Sequence, residues 1–259
     1  MVNVTYSAPV DVLLNLGQTT INKWPDYLQQ YNLTTADIPE LIRMATDSDL
    51  NFAPSDSLEV WAPVHAWRAL GELRAEAAIE PLISVFNEME ESDWFREEMP
   101  EVFSLIGQAA IPGIADFLAD SNNLFYVRWM CAEILAKIGQ KNPTARDECL
   151  GRLVKQLEQY SKNSREMNGA LICAMLDLEG KEAAALMESA FSAKRVDRSM
   201  AGDWVDVQYA LGLLTRAEVI ELRRHVDAEQ LGTKAMKLRP SAGGFGQGTQ
   251  SSHKGKKQK

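Results

Sequence analysis

The residues with versatile chemistry are scarce enough to follow one by one: three histidines, three cysteines and six tryptophans in 259 residues. His65 lies among Trp61, Trp67 and Arg68, His225 falls near the end of the last helical pattern, and His253 sits close to the C-terminus. A general base needs a group that orients it, and no partner acid is identifiable near His65 in sequence. A lone histidine among aromatic rings is instead a packing or interface residue. No HExxH, CxxC or defensible Ser-His-Asp order occurs. Cys131, Cys149 and Cys173 are odd in number, lack metal-ligand spacing and fall inside helical patterns, so they read as reduced core thiols. Gly244, Gly246 and Gly248 alternate, but they follow no strand and open no helix; they read as flexible linker, not as a phosphate loop. No catalytic residue, metal ligand or cofactor site is therefore assigned.

Binding is better represented than catalysis. Trp61, Trp67, Trp94, Trp129 and Trp204 recur at or near the starts of helical patterns, and tryptophan is enriched where interfaces concentrate their energy. Arg68 and Arg128 each stand beside a tryptophan, placed to pair with acids of a neighbouring hairpin or to stack on the rings. Asp203, before Trp204, has the side chain and position of a helix N-cap. The candidate partner-binding residues are thus Trp61, His65, Arg68, Trp94, Arg128, Trp129, Asp203 and Trp204. The densest charge feature is Glu88, Glu90, Glu91, Asp93, Glu97, Glu98 and Glu101, ordinarily a solvated face. Residues 233–259 hold seven cations and no acid, so the first 232 residues carry −16 of a chain whose net charge is −9. An acidic body favours basic partners. The tail lysines Lys254, Lys256, Lys257 and Lys259 form a second candidate site, suited to RNA, anionic lipid or an acidic surface, segment 88–101 included.

The elements that must position these residues are announced by a recurring apolar cassette spaced i, i+3, i+4, i+7. It reads Ile38, Leu41, Ile42, Ala45; Ile79, Leu82, Ile83, Phe86; Ile111, Ile114, Ala115, Leu118; and Leu150, Leu153, Val154, Leu157. Weaker copies follow at Ala183, Leu186, Met187, Ala190 and at Val219, Leu222, Val226. First residues stand 41, 32, 39, 33 and 36 positions apart. A period in that range with only helical patterns inside it indicates stacked helical hairpins, each unable to bury its stripe alone. Other stripes precede the cassettes, among them Phe95, Met99, Val102, Phe103, Ile106 and Val127, Met130, Cys131, Ile134, Ile138. Pro39, Pro81 and Pro112 fix where second helices begin, because a first turn leaves its N–H groups unpaired anyway.

Ala69, Leu70, Gly71, Ala78, Ile79, Pro81 and Leu82, and again Leu105, Ile106, Gly107, Ala110, Ile111, Pro112 and Ile114, resemble HEAT repeats, in particular the HEAT-like type first associated with phycobilisome lyases. The resemblance is good over 58–120 and fades toward 230. It implies an all-α, alpha-alpha superhelix of about six helical hairpins whose groove receives a protein partner. Some members of that family handle bilin chromophores, and some bacterial relatives end in a cysteine-rich zinc-binding motif. The C-terminus here has no cysteine, so no metal site is carried over.

The expected organisation is an N-terminal capping hairpin over 1–50, a repeat body over 57–232 and a disordered basic tail over 233–259. No apolar run approaches the roughly 20 residues of a membrane span, and the N-terminal stretch lacks the basic start and cleavage site of a signal peptide, so a cytoplasmic, bacterial-style protein is expected. The functional expectation is a non-catalytic scaffold, adaptor or assembly factor. Alternatives are a bilin lyase or chromophore chaperone, and RNA or ribosome association through the tail.

Overall fold

The computed structural model describes residues 5–21 and 23–225, and all of their regular elements are helices. One unit runs to Leu214 and a second starts at Thr215. The first holds α1 (Tyr27–Tyr31), α2 (Ile38–Ala45), α3 (Ser48–Asn51), α4 (Ala62–Glu72), α5 (Ile79–Ser84), α6 (Asp93–Ile106), α7 (Ile111–Ala119), α8 (Phe125–Lys141), α9 (Arg146–Leu157), α10 (Arg165–Asp177), α11 (Ala184–Ser192), α12 (Arg198–Ala201) and α13 (Trp204–Ala210). In the second, residues 216–225 are helical. The all-α expectation therefore stands, and residues 233–259, with the four tail lysines, lie outside the described residues.

Within the first unit the helices form two layers. First helices pack in sequence, α4 on α6, α6 on α8, α8 on α10 and α10 on α12. Second helices do the same from α2 through α5, α7, α9 and α11 to α13. A short 3-10 turn leads into most second helices, and its last residue is a buried alanine at Ala78, Ala110, Ala145 and Ala183. Between α6 and α7 the chain turns by 116° at Gly107, whose φ of 92° suits a residue without Cβ. The predicted stripes face inward: Phe95, Met99, Val102, Phe103, Ile106 and the four residues of the Ile111 cassette are all buried. Phe86 is the hinge pin of this core, with the rings of Phe95, Phe103 and Phe117 at 5.6, 5.7 and 5.1 Å.

The structure departs from the repeat reading in three places. The N-terminal hairpin is not built from two full arms. A 3-10 turn at Val10–Asn15, a stretch without helix and the five-residue α1 stand where a first helix is expected. Pro9, Gly17 and Pro25 interrupt helix formation there, and Thr19, Thr20 and Ile21 are β-branched. The expected boundary at residue 50 falls inside α3, which Asp47 caps by accepting from the N–H groups of Asp49 and Leu50. In the last cassette Leu222 is exposed and Val219 half-buried, and Val226 lies outside the described residues.

Candidate functional site

The N-terminal segment lies over α4 and buries two of the predicted binding residues. Arg68 is fully buried; its Nε and Nη2 donate to the two Glu98 oxygens at 2.9 and 2.5 Å, and its remaining donors reach Thr19 Oγ1 and the Thr20 carbonyl. His65, 4% exposed, sits between the Gly17 carbonyl at Nε2 (2.9 Å) and the Tyr27 hydroxyl at Nδ1 (2.6 Å). A carbonyl only accepts, so Nε2 carries the proton and Nδ1 accepts from Tyr27. Burial holds His65 below the ordinary imidazole range. Both side chains thus tie the N-terminal segment to the helix layer and are withdrawn from any partner surface. The expected pairing of Arg68 with an acid of the next hairpin is realised by Glu98 of α6.

Two more candidates are local fasteners. Asp203 and Asp206 form a reciprocal capping box at the start of α13, and Trp204 rests on Phe191 with ring centroids 5.8 Å apart. Arg128 donates from Nε to the Leu118 carbonyl at 2.9 Å, closing the turn between α7 and α8, and burial lowers its pKa.

The remaining tryptophans line openings. Trp61 and Trp94, both half-buried, meet edge to face at 4.9 Å and border a cleft of about 210 Å³ with Val60, Val64 and Met89. Trp129 lines the larger opening, a groove of about 560 Å³ between α6 and α8 that reaches Asp177 at the end of α10. On α8 its wall is the stripe Tyr126, Trp129, Glu133, Lys137 and Gln140, the face opposite the buried Val127, Cys131 and Ile134. On α6 it is Asp93, Arg96, Glu97 and Pro100. The rings of Tyr126 and Trp129 are stacked at 6.4 Å, with Tyr126 nearly half exposed.

Charges in the groove are unevenly matched. Arg96 pairs with Asp93 and lies 5.2 Å from the Tyr126 ring centre, and Lys137 pairs with Glu101 at 3.0 Å. Glu97, Glu133 and Asp177 form no ion pair among the described residues. Desolvation by the groove wall, with repulsion from Glu97, lifts the Glu133 carboxyl above the usual range against a hydrogen bond from Trp129. Desolvation lifts Asp177 as well. Sequence reasoning singled out Trp129 and the acidic run but missed Tyr126, Arg96, Glu133 and Asp177. The signal for Tyr126 and Glu133 is the complement of the apolar stripe on α8, legible only as the face left over, whereas Arg96 on α6 and Asp177 on α10 join them only through packing.

The matched segment of the chain is the hairpin beside these openings: residues 65–88, spanning most of α4 and all of α5, match the family model of the PBS lyase HEAT-like repeat. The chain carries a PBS lyase HEAT-like repeat. No curated protein and no solved structure matches it. The HEAT-like hairpin contributes Trp67 and the buried His65 and Arg68, and its α4 backs α6, which forms one groove wall. Among the described residues no group of three or more His, Cys, Asp or Glu side chains converges to hold a metal. Burial raises the thiols of Cys131, Cys149 and Cys173, that of Cys149 to about 12, which keeps them protonated and poorly nucleophilic at neutral pH. No single described helix is long and apolar enough to cross a membrane.

Proposed function

We propose that this HEAT-like repeat protein is a non-catalytic interaction scaffold that holds a protein partner in the groove between α6 and α8. The observation that carries this reading is the groove itself: stacked rings and carboxylates without counter-ions, mounted on two helices that are fixed by the core beneath them. Rigid walls matter because an interface loses less ordering entropy when its anchors are already in place. The test compares the full chain with its Trp129→Ala/Glu133→Lys variant as bait in native lysate, with circular dichroism to establish that both are folded. Proteins retained by the first and lost from the second support the reading. An identical set on both baits overturns the groove as the binding site.

A second reading, a chromophore-handling protein of the lyase kind, draws on the repeat match alone. Co-expression with a bilin separates the two, because a chromophore carrier takes up visible absorbance and a protein scaffold does not.

A further inference from the structure

Resting on the scaffold reading, we infer that the partner presents an extended basic segment, about six residues long, whose cationic side chains lie across Trp129 and between Glu97, Glu133 and Asp177. The length follows from the wall. Gln140 stands fourteen residues beyond Tyr126 on the helix, about 21 Å at 1.5 Å per residue, and an extended chain covers that distance in about six residues at 3.3 Å each.

The sign of the charge follows from what each lining group already holds. Each cation of the groove already has an acid, Arg96 in Asp93 beside the Tyr126 ring and Lys137 in Glu101, although the buried Arg96 Nε keeps no hydrogen-bond partner among the described residues. The three carboxylates left over form no ion pair among the described residues, and desolvation raises two of them, Glu133 against a partial offset from Arg96 and Trp129. An incoming cation relieves that cost, whereas an anion adds to it.

Glu97, Glu133 and Asp177 stand on three different helices and form no group able to hold a metal ion among the described residues, so a ligand that meets all three carries positive charge at more than one place along its length. Aromatic faces set among carboxylates suit a guanidinium in particular, since it stacks on a ring through its plane and donates in its plane to an acid. The overall balance agrees: the first 232 residues carry −16, a field that draws basic segments toward the surface before the groove selects them.

The test is fluorescence polarisation of a labelled hexa-arginine peptide with the full chain, against hexa-serine and hexa-glutamate. Hexa-arginine alone is expected to bind, more weakly as salt rises. Glu133→Gln/Asp177→Asn should weaken binding by about tenfold or more, as loss of charge-assisted contacts does. Trp129→Leu, which leaves net charge unchanged, should weaken it too. The control is Glu76→Gln/Glu80→Gln, which removes the same charge outside the groove and should have little effect. Equal losses from both charge pairs, or no loss from Trp129→Leu, reduce the binding to diffuse attraction and overturn the inference. Tighter peptide binding after Lys254, Lys256, Lys257 and Lys259 are changed to Gln makes the chain's own tail the occupant, and overturns it likewise. Absence of hexa-arginine binding alongside groove-dependent capture in lysate leaves the scaffold reading standing and removes the basic partner; absence of both removes both.

Discussion

Cutting the Arg68–Glu98 pair from one side and then from both tests whether buried charge organises this stack. Arg68 is 0% and Glu98 1% exposed, so either charge left alone would face a medium unable to solvate it. Removing one member of such a pair costs about 3–5 kcal/mol. Domain stabilities are about 5–15 kcal/mol, so Arg68→Met or Glu98→Leu alone should bring the protein close to unfolding. The double variant removes both charges and fills the space with apolar atoms; Thr19 Oγ1 and the Thr20 carbonyl lose donors now 2.8 and 3.1 Å away, and of the two residues Thr20 is exposed to water while Thr19 is half-buried. One such unsatisfied group costs about 1–3 kcal/mol. The double variant should therefore be more stable than either single one, far from the sum of about 6–10 kcal/mol that independent effects would give. Urea unfolding followed by circular dichroism, with unchanged m values, measures all three. Additive losses, or single losses below about 1 kcal/mol, would show that water reaches the pair and that it does not anchor the N-terminal segment.

Three further outcomes follow from the same contacts. Burial depresses His65 below the 6.5 of the unfolded chain, so between the folded value and 6.5 the unfolded state holds the extra proton. Its contribution is complete above pH 6.5 and falls as pH drops through that window, by up to about 1.4 kcal/mol per pH unit; urea midpoints against pH should lose this slope in His65→Gln. Gly151→Ala should stabilise α9 by about 0.5–1 kcal/mol, because nothing lies within 4 Å of an added Cβ. Gly139→Ala should destabilise, since its Cβ would stand 2.7 Å from Leu178 Cδ2 and 3.3 Å from the Arg146 Cα; thermal melts of the pair should move in opposite directions.

The repeat was legible in the sequence because helical burial imposes a period that survives changes of residue type. Its phase was less so. The cassette in α9 reads from Leu150, yet the turn that ends in buried Ala145 makes Arg146 the counterpart of Ile79 and Ile111. Residues four apart share a helix face, so a stripe alone does not say which turn is first. Arg146 in that place exchanges packing for hydrogen bonds, to the Leu178 carbonyl and to Glu182 of the following turn.

By itself, then, the sequence determined an all-α chain of hairpins, its inward faces, its charge asymmetry and the capping role of Asp203, since each depends on neighbours within a turn or two. Tertiary structure alone decided what became of the binding candidates. Trp61 and Trp94, 33 residues apart, came together at the cleft, while Trp129 joined Tyr126, Glu133 and the distant Asp177 in the groove. His65 and Arg68 carry the same kinds of polar groups as an exposed site, and nothing local marks them as buried. Their burial comes from the N-terminal segment lying back over α4 across some 45 residues of chain, a long-range contact that no periodicity records.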